Sequence, residues 1–282
     1  MYTVGLSTCG RKPISDALFA AYRAAGIGAV EITVPVAEFD ALQWDVIAET
    51  AAQQGVKLWS CHLPFNEKVR IDAAEYAEET AAWYARLIRK AACAGVRTFV
   101  VHPSSEPIAD EDRAAHMRCA QKYLAMLAKV AGECGAQLAV EDLPRTCLGR
   151  NAAEMEELLS AHPALRVCFD TNHLLGEDPA AFVRAMGSRI ITTHISDYDF
   201  RDERHWLPGE GGLDWSALLQ ALQEVEYRGP WLYEVSFARP GTLEDAPALT
   251  CEDFARNAAE IFAGKKPTPR AVAREPFRCC RM

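Results

Sequence analysis

Residues 166–173 read RVCFDTNH and residues 189–197 read RIITTHISD. Each opens on an arginine, runs through apolar or β-branched residues without strict alternation, and ends in carboxylate and imidazole side chains. A strand covered on both faces has this composition, because in a helix-flanked parallel sheet neither face meets water. The charged residues at the far end need a separate reason, since an ionised side chain leaves water only with a partner.

Working outward, six more stretches share the pattern: TVGLST (3–8), AVEITV (29–34), KLWSCHL (57–63), TFVVHP (98–103), QLAVEDL (137–143) and PWLYEVSF (230–237). Between them apolar residues recur at helical spacing, as in Leu18, Ala21, Tyr22 and Ala25, or Leu218, Leu222 and Val225. Several of these helices are expected to stop at a C′ glycine: Gly26, Gly55, Gly95, Gly135 and Gly229. Eight strand–helix units in residues 1–264 match a single (β/α)8 TIM barrel, typically about 250 residues. An open doubly wound sheet is disfavoured, because the segment after the first strand, STCGRKP, lacks a glycine-rich phosphate turn.

The chain has 282 residues, half of them hydrophobic, with 30 Lys+Arg against 39 Asp+Glu and a net charge of -9. The imbalance is uneven. Residues 265–282 hold six basic residues and only Glu275, which leaves residues 1–264 at net -14. An acidic body disfavours a nucleic-acid partner, whose phosphates call for Lys and Arg. The Pro-rich basic tail is expected to be a flexible extension outside the packed domain. Ten cysteines without zinc-ribbon spacing read as reduced thiols, with the vicinal pair Cys279 and Cys280 set apart in the tail. With no signal-like start and no long apolar run, the protein is expected to be cytoplasmic and free of the membrane.

Barrel chemistry belongs at the C-terminal ends of the strands. Read in order, those ends carry Glu31, His62, His102, Glu141 with Asp142, Asp170 with His173, His194 with Asp197, and Glu234. Any one of them alone is explained as a hydrogen-bonded structural residue. Together, carboxylates delivered to one mouth repel and resist ionisation unless a cation compensates them. A divalent metal resolves the conflict. Mixed imidazole and carboxylate ligands suit Zn, Mn, Co or Fe(II), and are less typical of Ca or Mg.

Glu141 in AVEDLP, Asp170 and His173 in FDTNH, His194 in THISD and Glu234 in LYEVS form an ordered set that resembles the xylose-isomerase-like TIM-barrel superfamily. That superfamily holds sugar isomerases and epimerases, inosose-type dehydratases and endonuclease IV. Its ketose 3-epimerase branch implies one divalent ion (Mn, Zn, Co or Mg) on Glu141, Asp170, His194 and Glu234, with His173 on a substrate hydroxyl. The implied reaction is sugar isomerisation or epimerisation through a metal-stabilised enediolate, with Glu141 and Glu234 as acid and base on opposite faces. Each such acid/base contribution is worth roughly 10²–10⁴-fold.

Two features pull elsewhere. His62 and His102 resemble the extra imidazoles of endonuclease IV, and ERHWLPGEG (203–211) resembles its D-R-H…G-E-G segment, with Glu203 in place of the Asp. His62, His102 and His205 are therefore implied as substrate-binding residues or, with Glu203, as ligands of a second or third metal. Dehydration of a cyclic polyol and abasic-site cleavage are the alternative reactions. The small-molecule reading, a sugar or polyol substrate with homo-oligomerisation left open, agrees better with the acidic body. Trp59 and Trp206 are candidates for stacking on a sugar, although aromatics of this kind more commonly fill the core, and Glu31 is expected to contact a substrate hydroxyl or, in preference, to pair with Arg11 or Lys12.

Overall fold

The computed structural model describes residues 1–9, 14–237, 241–243 and 246–270. Among them, eight strands alternate with eight α-helices: β1 (Val4–Ser7), α1 (Asp16–Ala24), β2 (Ala29–Ile32), α2 (Trp44–Gln53), β3 (Lys57–His62), α3 (Ala74–Cys93), β4 (Thr98–Val101), α4 (Arg113–Glu133), β5 (Gln137–Glu141), α5 (Ala152–Leu159), β6 (Arg166–Asp170), α6 (Pro179–Met186), β7 (Ile190–His194), α7 (Trp215–Glu224), β8 (Trp231–Tyr233) and α8 (Cys251–Phe262). The strands are parallel in the order β7-β6-β5-β4-β3-β2-β1-β8. Just past β7 the sheet closes on itself, where Ile195 N–H donates to Leu232 at 2.8 Å and Glu234 N–H donates to Ile195 at 3.2 Å. This is the expected (β/α)8 barrel.

Local sequence explains the helix boundaries. Ser15, Asn151, Asp178 and Asp214 each accept a backbone N–H of the first turn, and Thr250 with Asp253 forms a capping box on α8. Gly26, Gly55, Gly95 and Gly135 take positive φ behind α1 to α4, as their positions predicted. Gly229 does not. The left-handed residue after α7 is Glu226, at φ 55°. Gly229 serves a different need, since a Cβ there would overlap the Tyr227 hydroxyl and the Ile191 carbonyl.

Two layers of packing follow from the period of two along each strand. Residues such as Phe99, Val101, Leu138, Val140, Val167 and Phe169 face the helices and join the main core. Their neighbours Val100, Ala139 and Cys168 form a separate small cluster with Ile191 inside the barrel. One step further along the same inward rows stand His102, Glu141 and Asp170. Small residues thus fill the barrel beneath, and the next inward layer is polar.

Two register shifts adjust that layer, between Val30 and Glu31 on β2 and between Val167 and Cys168 on β6. The first pairs Glu31 with Ser60 and skips Trp59, whose indole donates to Thr192 at 3.2 Å across the barrel. Trp59 is therefore a packing residue. Trp206, also proposed for sugar stacking, is buried with its indole on Thr242 at 2.8 Å.

The start of the expected tail is not outside the packed body. Arg270 donates to Glu210 from Nε at 2.6 Å and Nη2 at 2.9 Å, and the Pro267 carbonyl lies against Gly209. Residues 271–282, including Cys279 and Cys280, lie outside the described residues.

Candidate active site and metal centre

Glu141 occupies the centre of the barrel mouth and is 1% exposed. Its two oxygens face different neighbours. Oε2 lies 2.9 Å from His62 Nε2 and 3.2 Å from His102 Nε2, whereas Oε1 lies 2.9 Å from His194 Nδ1. Around His194 Nδ1 stand Glu234 Oε2 at 3.3 Å and Asp170 Oδ2 at 3.8 Å. Glu141, Asp170, His194 and Glu234 offer ligand atoms all within 4.8 Å of one another, and so do His62, Glu141 and His194. The four proposed ligands of β5 to β8 are brought together.

The polar residues that the sequence proposed for substrate or a second metal divide into two groups. His62 and His102 join Glu141. Glu203 and His205 instead gather with His173, whose Nε2 lies 2.9 Å from Glu203 Oε1. Among the described residues, those four are not brought together as one group of ligand atoms within 4.8 Å.

Hydrogen bonds fix the imidazole tautomers. His62 Nδ1–H donates to the Leu63 carbonyl at 2.8 Å, and His173 Nδ1–H donates to the Asp142 carbonyl at 2.7 Å. Each ring then points Nε2 at a carboxylate, lone pair against lone pair, unless a proton or metal ion lies between. Asp170 Oδ2 is buried with no hydrogen-bond partner among the described residues. An orphaned buried carboxylate oxygen beside two imidazoles and two further carboxylates fits a divalent cation.

The electrostatics agree. Burial raises the Asp170 carboxyl well above its ordinary range, against the pull of His173, with Glu234 and Glu141 adding to the rise. For Glu141 burial also pushes upward, but His194 and His102 hold it well below the usual carboxylate range. Burial lowers His102, although Glu141 opposes it. For Glu203, burial is overcome by His173 and Arg145, which bring it down to about 2.

Three residues at the strand ends do other work. Asp142 Oδ1 accepts the Asp170 N–H at 2.8 Å, and burial lifts its carboxyl to about 8. Asp197 accepts from Trp215 Nε1 at 2.9 Å and from the amides of Gly209 and Tyr198 at 2.8 and 2.9 Å, so it organises the loop after β7. Glu31 is fully buried, with His194 and Ser60 as its described partners. Arg11 and Lys12, its expected partners, lie outside the described residues.

Arg145 and Asn172 were not singled out by the sequence. Arg145, at φ 52°, binds Glu106 at 2.6 Å, Asp202 at 2.7 Å and Glu203 at 2.5 Å. The available signal was a basic residue in the loop after β5, close to an acidic mouth. Asn172 Oδ1 accepts the Arg204 N–H at 3.0 Å and so ties the β6 loop to the β7 loop. A cavity of about 770 Å³ opens past β1 to β3, lined by Ile14, Val34, Val36, Leu42, Val46 and Phe65 among others. The Phe65 ring stands 3.8 Å from that of His102.

A (β/α)8 barrel with a mixed imidazole and carboxylate centre at its strand ends is the class that fold and site define. The chain belongs to the xylose isomerase-like TIM barrel family, whose model matches residues 19–253. Among curated proteins it is 28% identical over 144 residues to D-psicose 3-epimerase of Enterocloster bolteae, covering 48% of this chain and 45% of that one. It is 31% identical over 111 residues to an uncharacterized protein of Sinorhizobium fredii, covering 38% of this chain and 36% of the other. The alignments thus span under half the length of these relatives. Among solved structures, D-psicose 3-epimerase from Clostridium cellulolyticum H10 superposes with a TM-score of 0.78 at 17% identity, over 95% of this chain and 100% of that one. The 3-keto-D-glucoside 4-epimerase of E. coli gives 0.73 at 17% identity, over 93% and 100%. These structures share the fold. No helix among the described residues is long and apolar enough to cross a membrane.

Proposed function

We propose that this chain is a divalent-metal-dependent epimerase or isomerase of a sugar or related polyol, with Glu141, Asp170, His194 and Glu234 as metal ligands and the two glutamates as acid and base. The observation that carries the reading is the unpartnered Asp170 Oδ2 facing His194, Glu141 and Glu234. A divalent cation held by these residues would supply a Lewis acid for a substrate carbonyl. The relatives named as sugar epimerases support the same class of substrate.

The residues divide the work by exposure. Glu234, with its side chain 13% exposed against 1% for Glu141, is open to a bound sugar and is placed to take or return a carbon-bound proton. Glu141 is held ionised by its imidazoles and serves as the second proton carrier from beneath. His173, fixed by the Asp142 carbonyl, presents Nε2 toward the mouth for a substrate hydroxyl. His62 and His102 hold Glu141 Oε2 and contact the substrate on the β3–β4 side.

A second reading keeps the same reaction and adds an ion at His173, Glu203 and His205, favoured by the 2.9 Å approach of His173 Nε2 to Glu203. Arg145 already supplies a counter-charge to Glu203. Abasic-site cleavage is ranked below both, because residues 1–264 carry a net charge of -14 and the basic Arg145 and Arg204 of the loops are already taken by Glu106, Asp202, Glu203 and Asp199.

The test is to incubate a panel of free ketoses and keto-polyols with Mn²⁺-loaded protein in D₂O and follow product mass and configuration. One deuteron gained with no loss of water supports epimerisation or isomerisation. Loss of water would transfer the assignment to a dehydratase.

A further inference from the structure

Three of the mouth histidines are oriented by different kinds of acceptor. His62 and His173 each give Nδ1–H to a backbone carbonyl, as described above. His194 turns Nδ1 inward to Glu141, Asp170 and Glu234, and its other nitrogen, Nε2, faces a carboxylate: Glu31 Oε1 at 3.0 Å and Oε2 at 3.2 Å. Both side chains are fully buried. Glu31 is itself held, since the Ser60 hydroxyl donates to Oε2 at 2.8 Å. The register shift on β2 is what sets Glu31 directly opposite Ser60, so the arrangement is built into the strand pairing.

We infer that Glu31 is a positioning residue for the metal centre, accepting Nε2–H of His194 so that the ring presents a lone pair on Nδ1 to the ion. The inference rests on the metal reading of the site. An imidazole has one proton to place when neutral, and a carboxylate at Nε2 keeps it there, which fixes the tautomer and raises the basicity of Nδ1. Two further links support the assignment. Asp170 and His194 are register partners on β6 and β7, so the ring has a fixed origin opposite one of its co-ligands. Glu31 is a fourth buried carboxylate within reach of the same ring, and needs a compensating positive charge or a donated hydrogen bond.

The experiment compares Mn²⁺ affinity of the wild-type protein and Glu31→Gln, read from free Mn²⁺ by electron paramagnetic resonance. Gln preserves the volume and one carbonyl oxygen but not the charge. Binding weakened about 10–100-fold, with the metal-free melting temperature unchanged, is the expected result. Unchanged affinity in the variant would overturn the role of Glu31 and leave the metal reading intact, whereas no Mn²⁺ binding by the wild type would overturn the metal reading and with it the basis of the inference. Nitrogen-15 spectra of histidine-labelled wild type loaded with Zn²⁺ give a readout that does not depend on the variant folding. His194 is expected to carry its proton on Nε2 with Nδ1 on the metal, and the opposite tautomer contradicts the assignment.

Discussion

Two acid–imidazole clusters share the mouth, and they are built differently. The Glu141 cluster stands on the last inward positions of β5 to β8. Glu141, Asp170 and His194 are buried and Glu234 is partly exposed, Asp170 is left with an oxygen that no group among the described residues satisfies, and burial drives that carboxyl upward. The Glu203 cluster stands on the loop after β7, with His205 at φ 48° and Glu203 a quarter exposed, and it is already neutralised by Arg145 and His173. The strand-borne cluster leaves a buried carboxylate oxygen that a cation would compensate. The loop-borne one is already compensated by Arg145.

Substitutions should separate them. Glu141→Gln and Glu234→Gln are each expected to lower kcat by roughly 10²–10⁴-fold, as loss of a general acid or base does. Solvent-hydrogen exchange into an active sugar should fall in parallel, and exchange retained in both variants would break the two-glutamate mechanism. A smaller effect is expected at the loop. Removing Arg145 with Arg145→Ala should chiefly raise KM, by on the order of tenfold, because the change reaches substrate through Glu203 and His173 and not through the reacting carbon. A collapse of kcat equal to that of Glu234→Gln would erase the distinction between the clusters.

Stability against pH sharpens the same contrast in metal-free protein. Glu203 has a folded value of about 2, below its ordinary 4.5, so the native state binds fewer protons and its ion pairs stabilise the fold above pH 4.5. That contribution is lost as pH falls toward 2, and Glu203→Gln should flatten the acid limb. Asp142 has the opposite sign. Burial raises it from 3.8 to about 8, so the native state keeps a proton that the unfolded chain releases, and stability declines as pH rises between those values. Asp142→Asn, which still accepts the Asp170 amide, should raise Tm at pH 8 by a few degrees, with each kcal/mol worth roughly 2–4 °C in a chain of this size. A Tm at pH 8 that does not move would contradict the buried-acid description of Asp142.

The contrast also marks where sequence reading stops. Eight apolar runs and their terminal charges were legible because a strand has a period of two and a barrel puts all its C-terminal ends at one mouth. Glu141, Asp170, His194 and Glu234 could therefore be grouped without coordinates. What could not be read depends on turns and register. Asp197 looks like His194 in a list of strand ends, but the loop folds back so that its carboxylate collects the Trp215 indole and several amides. The place of Glu31 beside Ser60 and His194 could not be read either, because the register shift that puts it there leaves no mark in composition. The split of His62 and His102 from Glu203 and His205 follows from the path of the loop after β7. Arg270 was read with a loose tail because its partner Glu210 lies 60 residues away.

Metal stoichiometry and its dependence on one residue test the contrast most directly. Purified protein reconstituted with Mn²⁺, passed through a desalting column and weighed by native mass spectrometry should retain one ion per chain. Asp170→Asn should retain none, and Glu203→Gln should retain the same single ion as the wild type. An ion that survives in Asp170→Asn but is lost in Glu203→Gln would contradict the assignment and place the metal on the loop.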